Sequence, residues 1–234
     1  MYAATDLPLT AELLLVAHDP ATGRSRVDGQ RLRAALAGAA VVELVLQEVL
    51  QLEGSGRNTR LRASTGAGQE LDPGLRMVLE RADGQSPKSA VARVGGTQTF
   101  KDRGAVLRTA TWQLLEANGV ARREQRRVLG LVPVTRWTQP DASQADAVVR
   151  RMDRAVRGAS ERDARTTVLV SVCQAAGLLR RVLPALDRRR VDQWLAEASD
   201  DAWAGQAVAK AIADVQAAVV AVIIASSVAA TASG

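Results

Sequence analysis

This sequence predicts a mainly α-helical single globular domain with short β-hairpins, and three observations carry the prediction. Aromatic residues make up only 3% of the 234 positions, whereas β-sandwich strands favour aromatic and β-branched side chains. Hydrophobic residues reach 47%, much of that alanine and leucine in segments of helical spacing, enough to bury a substantial core. No internal repeat and no proline-, glycine- or serine-rich linker divides the chain, so residues 1–234 read as one unit with a core of about 7–225 and short flexible ends.

The elements follow in order. Leu9 to Ala17 is an apolar helix with Thr10 as its expected N-cap, and His18-Asp19-Pro20-Ala21-Thr22-Gly23 is a turn. Residues 30–50 suit a long helix, in which Gly38 within Ala-Gly-Ala-Ala lets another helix approach closely. Gly54-Ser55-Gly56 signals a turn before a short basic strand at 57–62. Asp72-Pro73 and Ser86-Pro87 each supply a cap and a first-turn proline for a helix; the first ends near Gly84, and Gly95-Gly96 breaks the second. A helix over 99–118 stops at Asn118-Gly119. Residues 122–137 have the composition of a hairpin, with Gly130 and Pro133 restricting its register. Helices are then expected at 143–157, 161–176, 178–183, 188–197 and 202–225. The run Ala217–Ala225 is uncharged, but at about 1.5 Å per residue it covers less than half of a ~30 Å hydrocarbon layer, which favours a buried core helix over a membrane span.

Catalysis is not expected. One cysteine, Cys173, and one histidine, His18, exclude a disulfide framework and multi-cysteine zinc sites. The two lie in distant segments without a nucleophile motif; Cys173 reads as a small core residue, and His18 as a group satisfying helix-terminal carbonyls. Glycine pairs such as Gly66-Ala67-Gly68 lack a phosphate-loop ending. The pair Asp200-Asp201 is expected to precede a helix and favour its positive end. No metal or cofactor is therefore predicted. Residues 1–6 carry no secretory pattern, which leads to the expectation of a cytoplasmic protein.

The net charge is +6, and lysine occurs only at 88, 101 and 210, so 28 of the 31 basic residues are arginine. Residues 122–190 hold sixteen arginines against seven acids, a surplus of 9 that leaves −3 elsewhere. Such asymmetry suits an anionic partner such as lipid headgroups or nucleic acid; solvated helix faces of an arginine-rich proteome would also produce it. The hairpin is the informative part. Arg122, Arg123, Arg126 and Arg127 precede Leu129, Leu131 and Val132, and Trp137 follows. Guanidinium groups can engage lipid phosphates while the aliphatic side chains enter acyl chains and the tryptophan takes the interfacial layer. The same leucines and valine would equally suit a core beneath helices. A helix at 99–118 with a basic hairpin also matches a winged helix that binds nucleic acid, although it offers few base-reading side chains: Lys101, Asp102, Arg103, Arg108 and Gln113. A scaffold whose arginines meet acidic partner proteins is a third reading.

Several segments together resemble the Golgi phosphoprotein 3 family, peripheral membrane adaptors that bind phosphatidylinositol 4-phosphate, and especially its bacterial members. They are Leu9–Leu15, Asp19–Gly23, Leu36–Leu46, Leu50–Leu52, Leu115–Val120, Val128–Arg136, Ala175–Leu179 and the alanine-valine-rich last helix. The resemblance implies a helical domain without catalytic activity that attaches reversibly to the cytosolic face of a membrane, with the cytosolic tails of membrane enzymes such as glycosyltransferases as partners. It implies an inserting hairpin at about Val128–Trp137. The tryptophan of the family's headgroup pocket falls at Asp28 and its first arginine at Ala37. Its two central-helix arginines fall near Ala105 and Arg108, so Arg108 alone is retained.

Overall fold

The computed structural model describes residues 7–66, 68, 70–96, 103–128, 132–200 and 205–232. Its elements run α1 (Leu9–Ala17), α2 (Gly29–Leu46), β1 (Leu50–Glu53), β2 (Arg60–Ala63), α3 (Pro73–Ala82), α4 (Pro87–Val94), α5 (Arg103–Ala117), β3 (Arg122–Val128), β4 (Val132–Thr138), α6 (Ser143–Val156), α7 (Ala164–Ala175), α8 (Leu179–Val182), α9 (Arg188–Asp200) and α10 (Gly205–Ala232). The fold is mainly α, as expected. Its strands form two separate antiparallel pairs, β1–β2 and β3–β4.

Composition explains the centre. Every residue of α1 is buried, as are Leu32 and Ala34–Val45 of α2. A helix apolar on all sides is stable only when surrounded, and α2 packs against α1, α3, α4, α5, α7 and α10. Its alanines keep these neighbours close. Gly38 is the tightest point: a Cβ there would lie 2.6 Å from Val219 Cγ2 and 3.1 Å from Val215 Cγ1. This is the close approach expected of Ala-Gly-Ala-Ala. It also fixes the direction of α10, because Lys210 reaches back to Thr59 beyond the C-terminal end of α2. α10 therefore runs antiparallel to α2.

Three helix starts match the local chemistry and one does not. Asp28, Asp72 and Ser86 cap α2, α3 and α4, accepting backbone N–H bonds, and Pro73 and Pro87 occupy the first turns. Thr10 does not cap α1. The helix begins one residue earlier, Thr10 lies buried within it, and the N–H of Leu9 donates instead to Glu43 Oε2 of α2 at 2.7 Å. A carboxylate from a neighbouring helix has replaced the local cap. Glu43 and Glu12 are both buried. Arg165 pairs with both, at 3.3 and 3.4 Å, and Arg151 meets Glu12 at 2.9 Å. The arginines tie α7 and α6 to α1 and α2 through buried, charge-assisted hydrogen bonds.

The basic strand expected at 57–62 is β2, starting at Arg60 and paired with β1 from Leu50↔Ala63 to Glu53↔Arg60. The last helix starts at Gly205 and continues past 225 to Ala232. Ala211, Ile212, Val215, Ala218, Val219 and Val222 are buried along it, so one stripe packs in the core; the apolar stretch is nevertheless longer than the run 217–225 indicated, because Val208–Ala225 has a mean hydropathy of 2.0 and is 39% buried. Asp200 ends α9, and Asp201 lies outside the described residues.

Two substitutions check this packing. Gly38→Ala gains about 1 kcal/mol of helix propensity, but the new methyl overlaps Val219 and forces α2 and α10 apart at about 1–3 kcal/mol. The midpoint of urea unfolding should fall. Arg165→Ala leaves two buried carboxylates short of a partner and should cost about 3 kcal/mol in the same assay, at the low end for such losses because water reaches Arg165.

Candidate functional site

A cavity of about 670 Å³ opens where the β3–β4 hairpin meets the bundle. It is lined by His18, Gly23 and Arg24 from the turn after α1, by Arg108, Thr109, Trp112 and Gln113 from α5, and by Arg123, Thr135, Arg136 and Trp137 from the hairpin. Among the described residues, four arginines and no carboxylate line it.

Each wall has a local cause. Trp112 and Gln113 follow Arg108 and Thr109 by one turn on α5, so the four share one face. β3 and β4 pair in register from Arg122↔Thr138 to Val128↔Val132. The hairpin docks on α5 at its base: Arg123 reaches Glu116 at 3.8 Å and Trp137 stacks on Trp112. The turn after α1 is closed by the Asp19 side chain, which accepts from the N–H and the hydroxyl of Thr22, each at 2.7 Å. These bonds, the hydroxyl's first, hold the Asp19 carboxyl below its usual range. Gly23 then sits at φ +60°, where an added Cβ would fall 2.2 Å from the carbonyl oxygen of Trp137. Only glycine allows this contact. Gln139 bonds across to the carbonyls of Leu15 and Pro20, which bolts β4 to the end of α1.

The floor is aromatic. Trp112 and Trp137 lie parallel with ring centroids 5.7 Å apart, and His18 meets Trp112 edge-on at 5.0 Å. Nδ1 of the buried His18 donates to the carbonyl of Leu14 at 3.0 Å, the carbonyl-satisfying role read from its position after a helix. Desolvation lowers its pKa, the Leu14 bond partly opposes this, and Arg108 and Arg26 add to the lowering. His18 is therefore a neutral wall. Cys173 is fully buried in α7 and its thiol is pushed up to about 12, which leaves it unreactive at neutral pH.

The predicted site residues divide. Arg108 and Arg123 line the cavity. Arg122 is exposed at the start of β3, and Arg126 and Arg127 face Val134 and Pro133 along the strand backbone. Trp137 stands at the hairpin base on Trp112, away from the strand ends. Val132 pairs with Val128 through its backbone; Leu129 and Leu131 lie outside the described residues, as do Lys101 and Asp102. Sequence reading missed Arg24, Trp112 and Arg136. Trp112 stands four residues after Arg108, a spacing that could have flagged it; Arg24 and Arg136 reach the cavity only through the docking of turn and hairpin. The two positions that depart from the family pocket have other work here: Asp28 caps α2 and Ala37 is fully buried.

Because its folded pKa is depressed, His18 contributes stability that is present above pH 6.5 and lost as the pH falls below it. The melting temperature should drop between pH 7 and pH 5 by more in the wild type than in His18→Gln, which has no ring to protonate. Equal slopes would show that His18 accepts its proton without cost.

A search of curated proteins finds no match. A family model, Golgi phosphoprotein 3 (GPP34), matches residues 9–215, from the first residue of α1 into α10. With that match spanning nearly the whole helical core and the hairpin, the chain belongs to the Golgi phosphoprotein 3 family.

Proposed function

We propose that this chain is a noncatalytic peripheral membrane protein that binds anionic phospholipid, holding a phosphate-bearing headgroup in the cavity between α5, the turn after α1 and the hairpin. The cavity carries the reading: Arg24, Arg108, Arg123 and Arg136 line it with no carboxylate among the described residues that do so, and its volume lies in the range of small-molecule sites. Arginine presents several N–H donors in a fixed fork that suits phosphate oxygens. Trp112 and Trp137 offer a flat apolar surface beside them.

Phosphatidylinositol 4-phosphate is the headgroup expected from the family. Since Asp28 and Ala37 do not contribute, its recognition here falls to Arg108 with arginines from the turn and the hairpin. The hairpin's Leu129, Leu131 and Val132 enter the acyl layer, Arg122, Arg126 and Arg127 hold the surrounding anionic lipid, and the protein works at the cytosolic face of a membrane. From there it recruits membrane enzymes through their cytosolic tails. Nucleic-acid binding has less support, because the hairpin lies along the α5 face that a winged helix would present to DNA.

Cosedimentation with vesicles of graded phosphatidylglycerol content, with duplex DNA as competitor, tests this. Each basic residue near an anionic surface is worth about 1 kcal/mol, so Arg108→Ala/Arg136→Ala should weaken partitioning by roughly 30-fold. Raising salt from 0.1 M towards 1 M shortens the Debye length from about 10 Å to about 3 Å and should release the protein. Leu129→Asp/Leu131→Asp should also abolish pelleting if the leucines insert. Tight DNA binding with indifference to vesicles would reverse the reading.

A further inference from the structure

Large hydrophobic side chains are exposed at three described positions: Val106 at 54%, Val220 at 38% and Ile224 at 57%. Helix directions bring Val106 and Ile224 towards one end of the bundle. Gly104, two residues before Val106, packs on the Arg33 side chain in the first turns of α2. Val215 and Val219 sit on Gly38, and α10 runs antiparallel to α2, so Ile224 lies about 8 Å further on, near the level of Arg33. The α10 backbone continues from there to Ala232, about 12 Å more, which carries it past the start of α2. The last charged residue of α10 is Asp214, which pairs with Lys210 at 3.5 Å, and none follows.

The charges around this end are basic. Arg24 and Arg93 are exposed there, the second in the last turn of α4 just before Gly95, which adjoins the Arg33 carbonyl. Gly177 adjoins Arg31, which places α8 and its exposed Arg180 and Arg181 at the same end. The nearby acids Asp19 and Asp28 are paired with Arg26 and Arg31. Exposed aliphatic side chains within a field of arginines suit an anionic bilayer, where apolar groups enter the acyl boundary and guanidinium groups meet phosphates. A protein partner would have to offer an acidic surface around an apolar one.

We propose that the exposed side of the C-terminal half of α10 is a second bilayer contact, besides the hairpin, that dips into anionic membrane. This rests on the membrane reading given above and adds a contact outside the cavity and the hairpin. Two attachment points fix the tilt of the bundle on the surface, so the cavity mouth faces the headgroup layer. The packed stripe from Ala211 to Val222 stays in the core, and the helix contacts the membrane with its exposed side and its end.

The single native cysteine is buried and unreactive, so a cysteine placed at 224 can be labelled alone. Full-length Ile224→Cys carrying an environment-sensitive fluorophore should blue-shift and become shielded from aqueous iodide on vesicles of phosphatidylcholine with 30% phosphatidylglycerol, and stay unchanged with pure phosphatidylcholine. The same label at Glu53→Cys, beyond the opposite end of α2, should remain aqueous. Ile224→Asp should weaken partitioning roughly tenfold without lowering the melting temperature, because the side chain is exposed. Cosedimentation with an aqueous label at 224 would overturn the α10 contact and leave the hairpin reading standing. Absence of any vesicle binding would overturn both. A blue shift that grows with protein concentration and needs no vesicles would overturn it in favour of a contact between copies of the chain.

Discussion

The close contact between α2 and α10 at Gly38 is the constraint from which the rest of the architecture follows. A helix buried on every side cannot offer large side chains to all its neighbours, because their combined girth would push those neighbours beyond contact distance. The alanines of α2 reduce that girth, and Gly38 removes it where Val215 and Val219 seat. Six other helices are thereby held around one axis, and α10 has a single direction. Polar contacts refine what packing sets. Glu43 both caps α1 and accepts from Arg165, so the entry of the first helix and the position of α7 depend on one buried carboxylate.

The cavity is a product of docking. Neither the hairpin nor α5 makes a concave surface alone; the space arises because the turn after α1 stands between them, held by the Asp19–Thr22 bonds and the Gly23–Trp137 backbone contact. Its electrostatics come from exclusion as much as from accumulation. Glu116 is drawn aside towards Arg123, Asp19 is occupied within its own turn, and His18 is kept neutral by burial. What remains facing the space is cationic. The fold thus presents a basic pocket here through arginines drawn from α5, the turn and the hairpin, while Asp28 caps α2 and Ala37 is buried in the core.

Where elements were readable from sequence, the physics was local. Asp72-Pro73 and Ser86-Pro87 start helices because cap and proline act within one turn. Gly38 announced a close approach because nothing else explains a glycine amid buried alanines. Thr10 failed as a cap because the groups competing for the Leu9 N–H included a carboxylate 34 residues away, which no local rule can weigh. Trp137 read as an interfacial anchor from its place after the hairpin; its stack with Trp112 needs the distance between two elements that sequence does not supply.

By itself the sequence determined the helical class, the order of elements, the small-residue seam in α2 and the arginine surplus, since each depends on composition or on spacing within a few turns. Only the tertiary structure decided which arginines share a cavity, which buried carboxylates pair with Arg151 and Arg165, and that α10 keeps an exposed aliphatic side. Those outcomes depend on the relative directions of helices. Packing around α2 fixes these directions through contacts between residues far apart in the chain.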